Sequence, residues 1–194
     1  FFSFPSDYWG IGYANGNRKD HYTTYKRLEK QIRLDFSRQI FPNTFVGITG
    51  LFRHVNGKDF KDISFLEGEK SNIASQGFGA FITYDSRDFL PNPYQGIYTK
   101  FEQIFFPDFW GNRFQRTEIL YRQYNKIWKG AILASDLQGI FNYGHTPWSM
   151  VALLGGSYQM RGYYEGRYRD NNLIQAQIEI RQHIYNRHGI AIWG

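Results

Sequence analysis

Apolar and polar side chains alternate with a period of two along most of the chain. The clearest segment covers residues 28–37, where leucine, isoleucine and phenylalanine alternate with largely charged and amide side chains. This period indicates a β-strand with one apolar face, because an amphipathic helix repeats every 3.6 residues. The pattern predicts no helical segment. It predicts eight strands and the start of a ninth, over residues 7–15, 28–37, 46–53, 75–85, 99–105, 113–128, 133–143, 175–181 and 190–193.

The connections between the predicted strands alternate in length. Compact turns are expected at Phe41-Pro42-Asn43, at residues 86–95, at Lys129-Gly130 and at residues 186–189. The other connections are longer, and 107–112 is the shortest of them. Antiparallel strands with short turns at one end and long loops at the other are typical of an outer-membrane β-barrel. The long connections cover residues 16–22, 55–72, 107–112 and 144–172.

Alternation alone does not distinguish a membrane barrel from a soluble all-β protein, because the apolar face contacts lipid in one and a core in the other. Strands of about 12 residues or more favour the tilted span of a barrel. Nearly every strand also carries opposite charges on one face, as expected for a wet lumen. These pairs are Arg33 with Asp35, Lys100 with Glu102, Arg116 with Glu118, and Glu179 with Arg181.

Aromatic residues make up 20% of the chain, and many fall near the ends of the predicted strands. Such positions suit the aromatic girdles at the two membrane interfaces. No run of 18 or more apolar residues is present, so the sequence predicts no transmembrane helix. A soluble all-β binding module remains the alternative. The predicted girdle residues are Trp9, Phe41, Phe109, Trp110, Trp128, Trp148 and Trp193.

The charge and the candidate chemistry exclude several function classes. The net charge is +6, but basic and acidic residues are interspersed and no basic run occurs, which argues against nucleic acid. Cysteine is absent, which excludes disulfides and thiolate metal sites. The five histidines show no metal-binding spacing, and no GxSxG or Walker motif occurs. We therefore expect no cofactor, no bound metal and no catalytic activity.

Two local motifs stand out. The first motif contains Asp85, Arg87 and Asp88, followed by Pro91 and Gly96. This segment could form an acidic site. We favour a turn in which the carboxylates accept hydrogen bonds from backbone N–H groups and pair with arginine. The second motif is the stretch 155–166, with four glycines and one arginine. So much glycine cannot hold itself as a strand and needs support from its surroundings.

These motifs resemble the BamA/TamA bacterial surface-antigen superfamily. The run from Gly155-Gly156 to Arg161-Gly162-Tyr163 resembles the Arg-Gly-aromatic motif of a long extracellular loop that folds back into the barrel. Segment 77–96 looks like the family's Asp-x-Arg-Asp, Pro and Gly turn, and residues 8–12 resemble an earlier strand. The resemblance spans most of the chain.

The resemblance implies that Arg161 points into the lumen and meets Glu179, with Arg181 beside it. Without the family, a mobile loop with Arg161 in solvent is the simpler interpretation. The family often has a second acidic residue after an aromatic in the next strand, but here Trp193 is followed by Gly194.

The resemblance also implies a single barrel domain over residues 1–194, incomplete at both ends. Its strands would be the fifth to twelfth of sixteen and part of the thirteenth, and POTRA domains would lie outside it. The implied location is the lipopolysaccharide-containing outer membrane of a bacterium. The implied function is insertion or translocation of outer-membrane proteins, with unfolded polypeptides or accessory assembly proteins as partners. A porin-like channel or a barrel that anchors another domain is the alternative.

Overall fold

A computed structural model describes residues 2–109, 111 and 113–194. Nine strands form one antiparallel sheet in which every strand pairs with its neighbours along the chain, and two short strands pair within the longest loop. The all-β, up-and-down fold predicted from the sequence is confirmed. The strands are β1 (Phe2–Tyr8), β2 (Thr23–Phe41), β3 (Thr44–Lys58), β4 (Asn72–Asp85), β5 (Gly96–Phe106), β6 (Phe114–Trp128), β7 (Ala131–Gly144), β8 (Ala152–Leu153), β9 (Arg169–Asp170), β10 (Asn172–Tyr185) and β11 (His188–Trp193).

The order of the sheet is β1 to β7 followed by β10 and β11, so β1 and β11 are its edge strands. Tight turns connect the strands at one end. Asn43, Gly130 and Asn186 adopt positive φ angles of 62°, 79° and 51° there, as two-residue hairpin turns require. The longer connections lie at the opposite end, as the sequence predicted, with one exception: the connection between β4 and β5, residues 86–95, is at the tight-turn end and is longer than the connection between β5 and β6, residues 107–113.

The two faces of the sheet differ in character. The outer face carries large apolar side chains that remain exposed, among them Ile32, Phe36, Ile48, Phe78 and Ile178. The inner face carries the charged side chains and is covered by the connection between β7 and β10. The buried hydrophobic clusters lie beneath this connection, so the covered face is the charged one.

The sheet curls strongly towards its inner face. Arg33 on β2 forms an ion pair with Glu102 on β5. In a flat sheet these strands would stand about 14 Å apart, three spacings of roughly 4.8 Å. Gly79 lies on the inner face of β4 between them, and a Cβ there would overlap the carbonyl oxygen of Gln103. Glycine at this position therefore permits the close approach of β4 and β5.

The predicted first strand, residues 7–15, is wrong. The strand ends at Tyr8, and the chain then forms one helical turn at Tyr13–Gly16. Gly10 and Gly12 have φ angles of 88° and 103°, which end the extended conformation. The prediction of no helical segment is also wrong, since a 3₁₀ turn follows at Ile63–Leu66. None of the helices in the described part of the chain is long and apolar enough to cross a membrane.

Several strands are longer than the alternation predicted. β2 has 19 residues, β3 continues to Lys58 and β10 covers 14 residues. The predicted loop 55–72 is correspondingly shorter at its start, because Val55 remains in the ladder opposite Glu29 and lies buried.

For two of the predicted girdle residues, the prediction of a place at the membrane interface is wrong. Trp9 and Trp148 are only 7% and 2% exposed and pack beneath loops of the same chain. Trp110 lies outside the described residues. The side chains of Phe41, Phe109, Trp128 and Trp193 are exposed.

Candidate functional site

The candidate site is the connection between β7 and β10, called here the inner loop (residues 145–171), together with the inner face that it covers. Its first half is anchored by Trp148. The indole Nε1 donates to the carbonyl of Lys70 at 3.0 Å, and the backbone N–H donates to Glu69 Oε2 at 2.9 Å. The ring packs edge-on against Tyr8 and Tyr25, with centroids 5.6 and 5.7 Å away. The loop therefore reaches from β7 across the sheet to the first strands.

Met150 forms a second anchor near the middle of the sheet. Its side chain is buried with Ile104, Phe106 and Phe114. Its carbonyl accepts a hydrogen bond from Arg116 Nη1 at 2.9 Å. An apolar side chain and a charge-assisted hydrogen bond thus hold the same residue on the inner face.

The returning half of the inner loop contacts the connection between β1 and β2. Arg167 Nε donates to the carbonyl of Gly16 at 2.9 Å, and the hydroxyl of Tyr168 donates to Asn17 Oδ1 at 3.0 Å. The carbonyl of Arg169 accepts from the N–H of Gly12 at 2.8 Å. Two loops that are far apart in sequence are therefore joined at the long-loop end of the sheet.

Arg161, at the centre of the glycine-rich stretch, contacts the residue that the sequence proposed. Its Nη2 lies 2.6 Å from Glu179 Oε2, and its guanidinium stacks 4.1 Å from the ring centroid of Trp193. Glu179 also pairs with Arg181. Trp193, the aromatic residue of the next strand, contributes a cation–π contact to Arg161, and Gly194 after it supplies no acidic partner. The functional role of these residues stays a prediction.

The amide side chains beside Arg161 extend this contact, and sequence reasoning did not single them out. Gln159 Nε2 donates to Asp136 Oδ1 at 2.9 Å, and the N–H of Met160 donates to Gln177 Oε1 at 3.0 Å. Gln175 Nε2 donates to Gln159 Oε1 at 2.7 Å. The repeated glutamines on the inner face of β10 were the available signal, because such side chains satisfy loop backbone groups.

The Arg-Gly-aromatic motif run contains three glycines, Gly155, Gly156 and Gly162, and the backbone conformation requires glycine at the first two of them. Gly155 and Gly156 have φ angles of 92° and 140°, and a Cβ on Gly155 would lie 2.7 Å from the carbonyl oxygen of Tyr163. The N–H of Tyr163 donates to the carbonyl of Met160 at 2.9 Å, which closes the turn around Arg161. A Cβ on Gly162 would meet no atom within 4 Å, so nothing in the structure requires glycine there.

The charged inner face forms a connected network. Glu102 is fully buried, and its Oε1 accepts from Arg33 and from Lys100 Nζ, the latter at 3.1 Å. Asp35 accepts from Arg33 Nε at 2.9 Å and from the Thr49 hydroxyl at 2.5 Å. This network ties β2 to β5 across two intervening strands. All four predicted pairs are in contact: Arg33–Asp35, Lys100–Glu102, Arg116–Glu118 and Glu179–Arg181.

The motif between β4 and β5 forms a turn. Arg87 binds both carboxylate oxygens of Asp85, at 2.8 and 2.7 Å, and this hydrogen bonding raises the pKa of the guanidinium. Asp88 Oδ1 accepts from three backbone N–H groups between residues 89 and 95. Pro91 is exposed, and Gly96 has a φ angle of 113°. The carboxylates are thus used within the turn, as the favoured interpretation predicted.

The comparisons with known proteins support the fold. No family model matches the sequence, and no curated protein is significantly similar to it. The structure resembles the crystal structure of BamA from Haemophilus ducreyi lacking POTRA domains 1–3, with a TM-score of 0.68 and 11% sequence identity. The match covers 98% of this chain and 48% of that chain. This chain therefore has the fold of the BamA barrel over about half of the length of that chain.

Proposed function

We propose that this chain forms part of a bacterial outer-membrane β-barrel of the BamA-type surface-antigen class, which assists the insertion or translocation of outer-membrane polypeptides. The observation that carries the proposal is the inner loop, which lies across the charged inner face of a sheet with the BamA fold. This loop is anchored to the sheet at both Trp148 and Arg161.

The proposed location is the lipopolysaccharide-containing outer membrane. The outer face supports it, because isoleucine and phenylalanine side chains such as Phe36, Ile48 and Ile174 are more than 60% exposed. A soluble protein rarely leaves such a continuous apolar surface in water, whereas a bilayer contacts it favourably.

The proposed complete barrel has sixteen strands. This number is the one that the family resemblance implies. The edge strands β1 and β11 support the presence of further strands, since each pairs with one neighbour within the described residues. Lipid cannot satisfy the free backbone groups of an open sheet edge, so a membrane barrel must close through further strands.

The test is reconstitution of the full-length protein into lipid vesicles, to which a urea-unfolded outer-membrane barrel is added. We expect the added barrel to fold several times faster than in vesicles that contain an equal amount of an unrelated porin. A folding rate equal to that control contradicts the assembly function. Ion conductance without faster folding would instead establish the porin-like alternative.

A further inference from the structure

A polar cavity of about 380 Å³ lies on the inner face, beneath the returning half of the inner loop. The inner loop and strands β1 to β3 form its walls. Three guanidinium groups and three carboxylates line it, so its formal charge is balanced. The charged lining residues are Arg27, Arg53, Arg169, Asp7, Glu29 and Glu165.

Arg169 is the least accessible cation of this cavity, at 6% exposure. Its Nε donates to the carbonyl of Gly166 at 2.8 Å, its guanidinium lies 4.5 Å from the ring centroid of Tyr8, and it contacts the hydroxyl of Tyr25. In the described part of the chain, no carboxylate oxygen lies within 4.0 Å of the Arg169 guanidinium. Burial lowers the pKa of this guanidinium, as expected for a cation that lacks an anionic partner.

None of the three carboxylates that line the cavity supplies that partner for Arg169. Glu29 is held between two other arginines, with Arg27 Nη2 at 2.7 Å and Arg53 Nε at 2.6 Å. Arg27 Nε is itself buried, and among the described residues it has no hydrogen-bond acceptor. Glu165 is an exposed residue of the inner loop. At the wall of one cavity, therefore, Arg169 lacks a carboxylate partner and the Nε of Arg27 lacks an acceptor among the described residues.

We infer that this cavity binds a carboxylate group, with Arg169 as its principal ligand and Arg27 as the second. A buried cation without a counter-ion is costly, and a bidentate carboxylate supplies the charge and the acceptor atoms that these groups lack. A monoanion is favoured over a phosphate dianion, because Asp7, Glu29 and Glu165 repel the additional negative charge. This inference does not depend on the assembly function.

The test is a titration of the detergent-solubilised protein with sodium acetate at constant ionic strength, followed through the NMR signals of the arginine Nε–H groups. We expect a saturable shift in the wild type. Arg169→Met should weaken acetate binding by about tenfold or more, and Arg18→Met, which removes an exposed loop arginine, should leave it unchanged. If Arg169→Met does not fold, Arg27→Gln should still weaken binding measurably.

Three outcomes overturn the inference. The first is an acetate response that is absent, or that is equal in the wild type and Arg169→Met. The second is tighter binding of inorganic phosphate than of acetate. The third is acetate binding that appears only in Glu165→Gln, because the loop carboxylate would then be the natural occupant. We expect Glu165→Gln instead to tighten binding by a factor of a few, because it removes one like charge from the wall of the cavity.

The source of the carboxylate is distinguished by a second titration, with an N-acetylated aspartate-containing tripeptide amide. Binding at least about tenfold tighter than that of acetate would assign the site to a carboxylate carried on a polypeptide. Equal affinity would assign it to free small carboxylates. Both results depend on the same Arg169 contact, so Arg169→Met should abolish the difference.

Discussion

Trp148 is expected to control whether the inner loop stays docked. Its side chain is 2% exposed, and its indole N–H is bonded to the carbonyl of Lys70. Replacing it with phenylalanine keeps an aromatic ring but leaves this carbonyl without its donor. Replacing it with alanine also removes the ring from the cluster that contains Tyr8 and Tyr25.

The magnitudes follow from these contacts. The bond to the Lys70 carbonyl is part-buried, and the loss of such a hydrogen bond costs about 0.5–1.5 kcal/mol, so Trp148→Phe should favour loop opening by roughly 1 kcal/mol, or about fivefold. Trp148→Ala adds a cavity, and truncation of a buried tryptophan costs about 3–5 kcal/mol. The loop should then be open in a much larger fraction of molecules.

The assay uses the absence of cysteine in the chain. Ser149 is buried next to Trp148, and Ser149→Cys introduces a thiol of nearly the same size. Its rate of modification by a water-soluble maleimide measures the open population when opening and closing are fast. The control is Trp128→Phe, since Trp128 is 59% exposed although its indole also donates, to Gln182.

In the Ser149→Cys background we expect the labelling rate to increase from the protein with Trp148, through Trp148→Phe, to Trp148→Ala. Trp128→Phe should match the wild type within about twofold, as for an exposed substitution. The reasoning is refuted if Trp148→Phe is modified at the wild-type rate, or if both phenylalanine variants accelerate labelling equally.

Three further predictions concern other parts of the structure. Arg161→Ala should increase hydrogen exchange in residues 157–165 by about five- to thirtyfold, because a partly buried ion pair and a cation–π contact are each worth roughly 0.5–1 kcal/mol. Unchanged exchange would reject the anchor. Gly79→Ala should lower the free energy of unfolding by about 1–3 kcal/mol through overlap with β5, whereas Gly50→Ala, where a Cβ meets no atom within 4 Å, should not; equal effects would contradict the close-approach argument. Desolvation acts to raise the pKa of Asp88, but backbone hydrogen bonds outweigh it and hold the pKa below the usual 3.8, so the turn should loosen as pH falls through that lower value. Asp88→Asn should reduce this pH dependence, as measured by proteolysis of the turn, and leave the part that comes from the Asp85–Arg87 pair. An undiminished dependence would contradict the role of Asp88.

The sheet could be predicted from the sequence because alternation is a property of each strand by itself. The period of two between residues 28 and 37 requires no knowledge of the partners of the strand. Strand ends were less predictable. β2 begins at Thr23 rather than near Leu28, because its pairing with β1 extends a segment whose own alternation is weak.

The site could be predicted only where the family resemblance supplied a partner. The resemblance implied that Arg161 meets Glu179, and the need of a confined guanidinium for a carboxylate agreed with it. Trp148 and Arg169 were missed because an aromatic or basic residue near a strand end has the same local sequence whether it faces lipid, water or a loop. Their burial depends on the path of the inner loop across seven strands, which no local pattern encodes.

In the proposed barrel, the apolar outer face contacts lipid while the charged inner face encloses the lumen. Ile178 and Gln177 are adjacent on β10 and lie on the outer and inner faces. Each is replaced by cysteine, labelled with bimane and reconstituted in vesicles that contain lipids brominated on their acyl chains. The proposed orientation of the sheet predicts strong quenching at position 178 and little at position 177. Equal quenching at the two positions, or a full-length protein that stays monomeric without detergent, would contradict it.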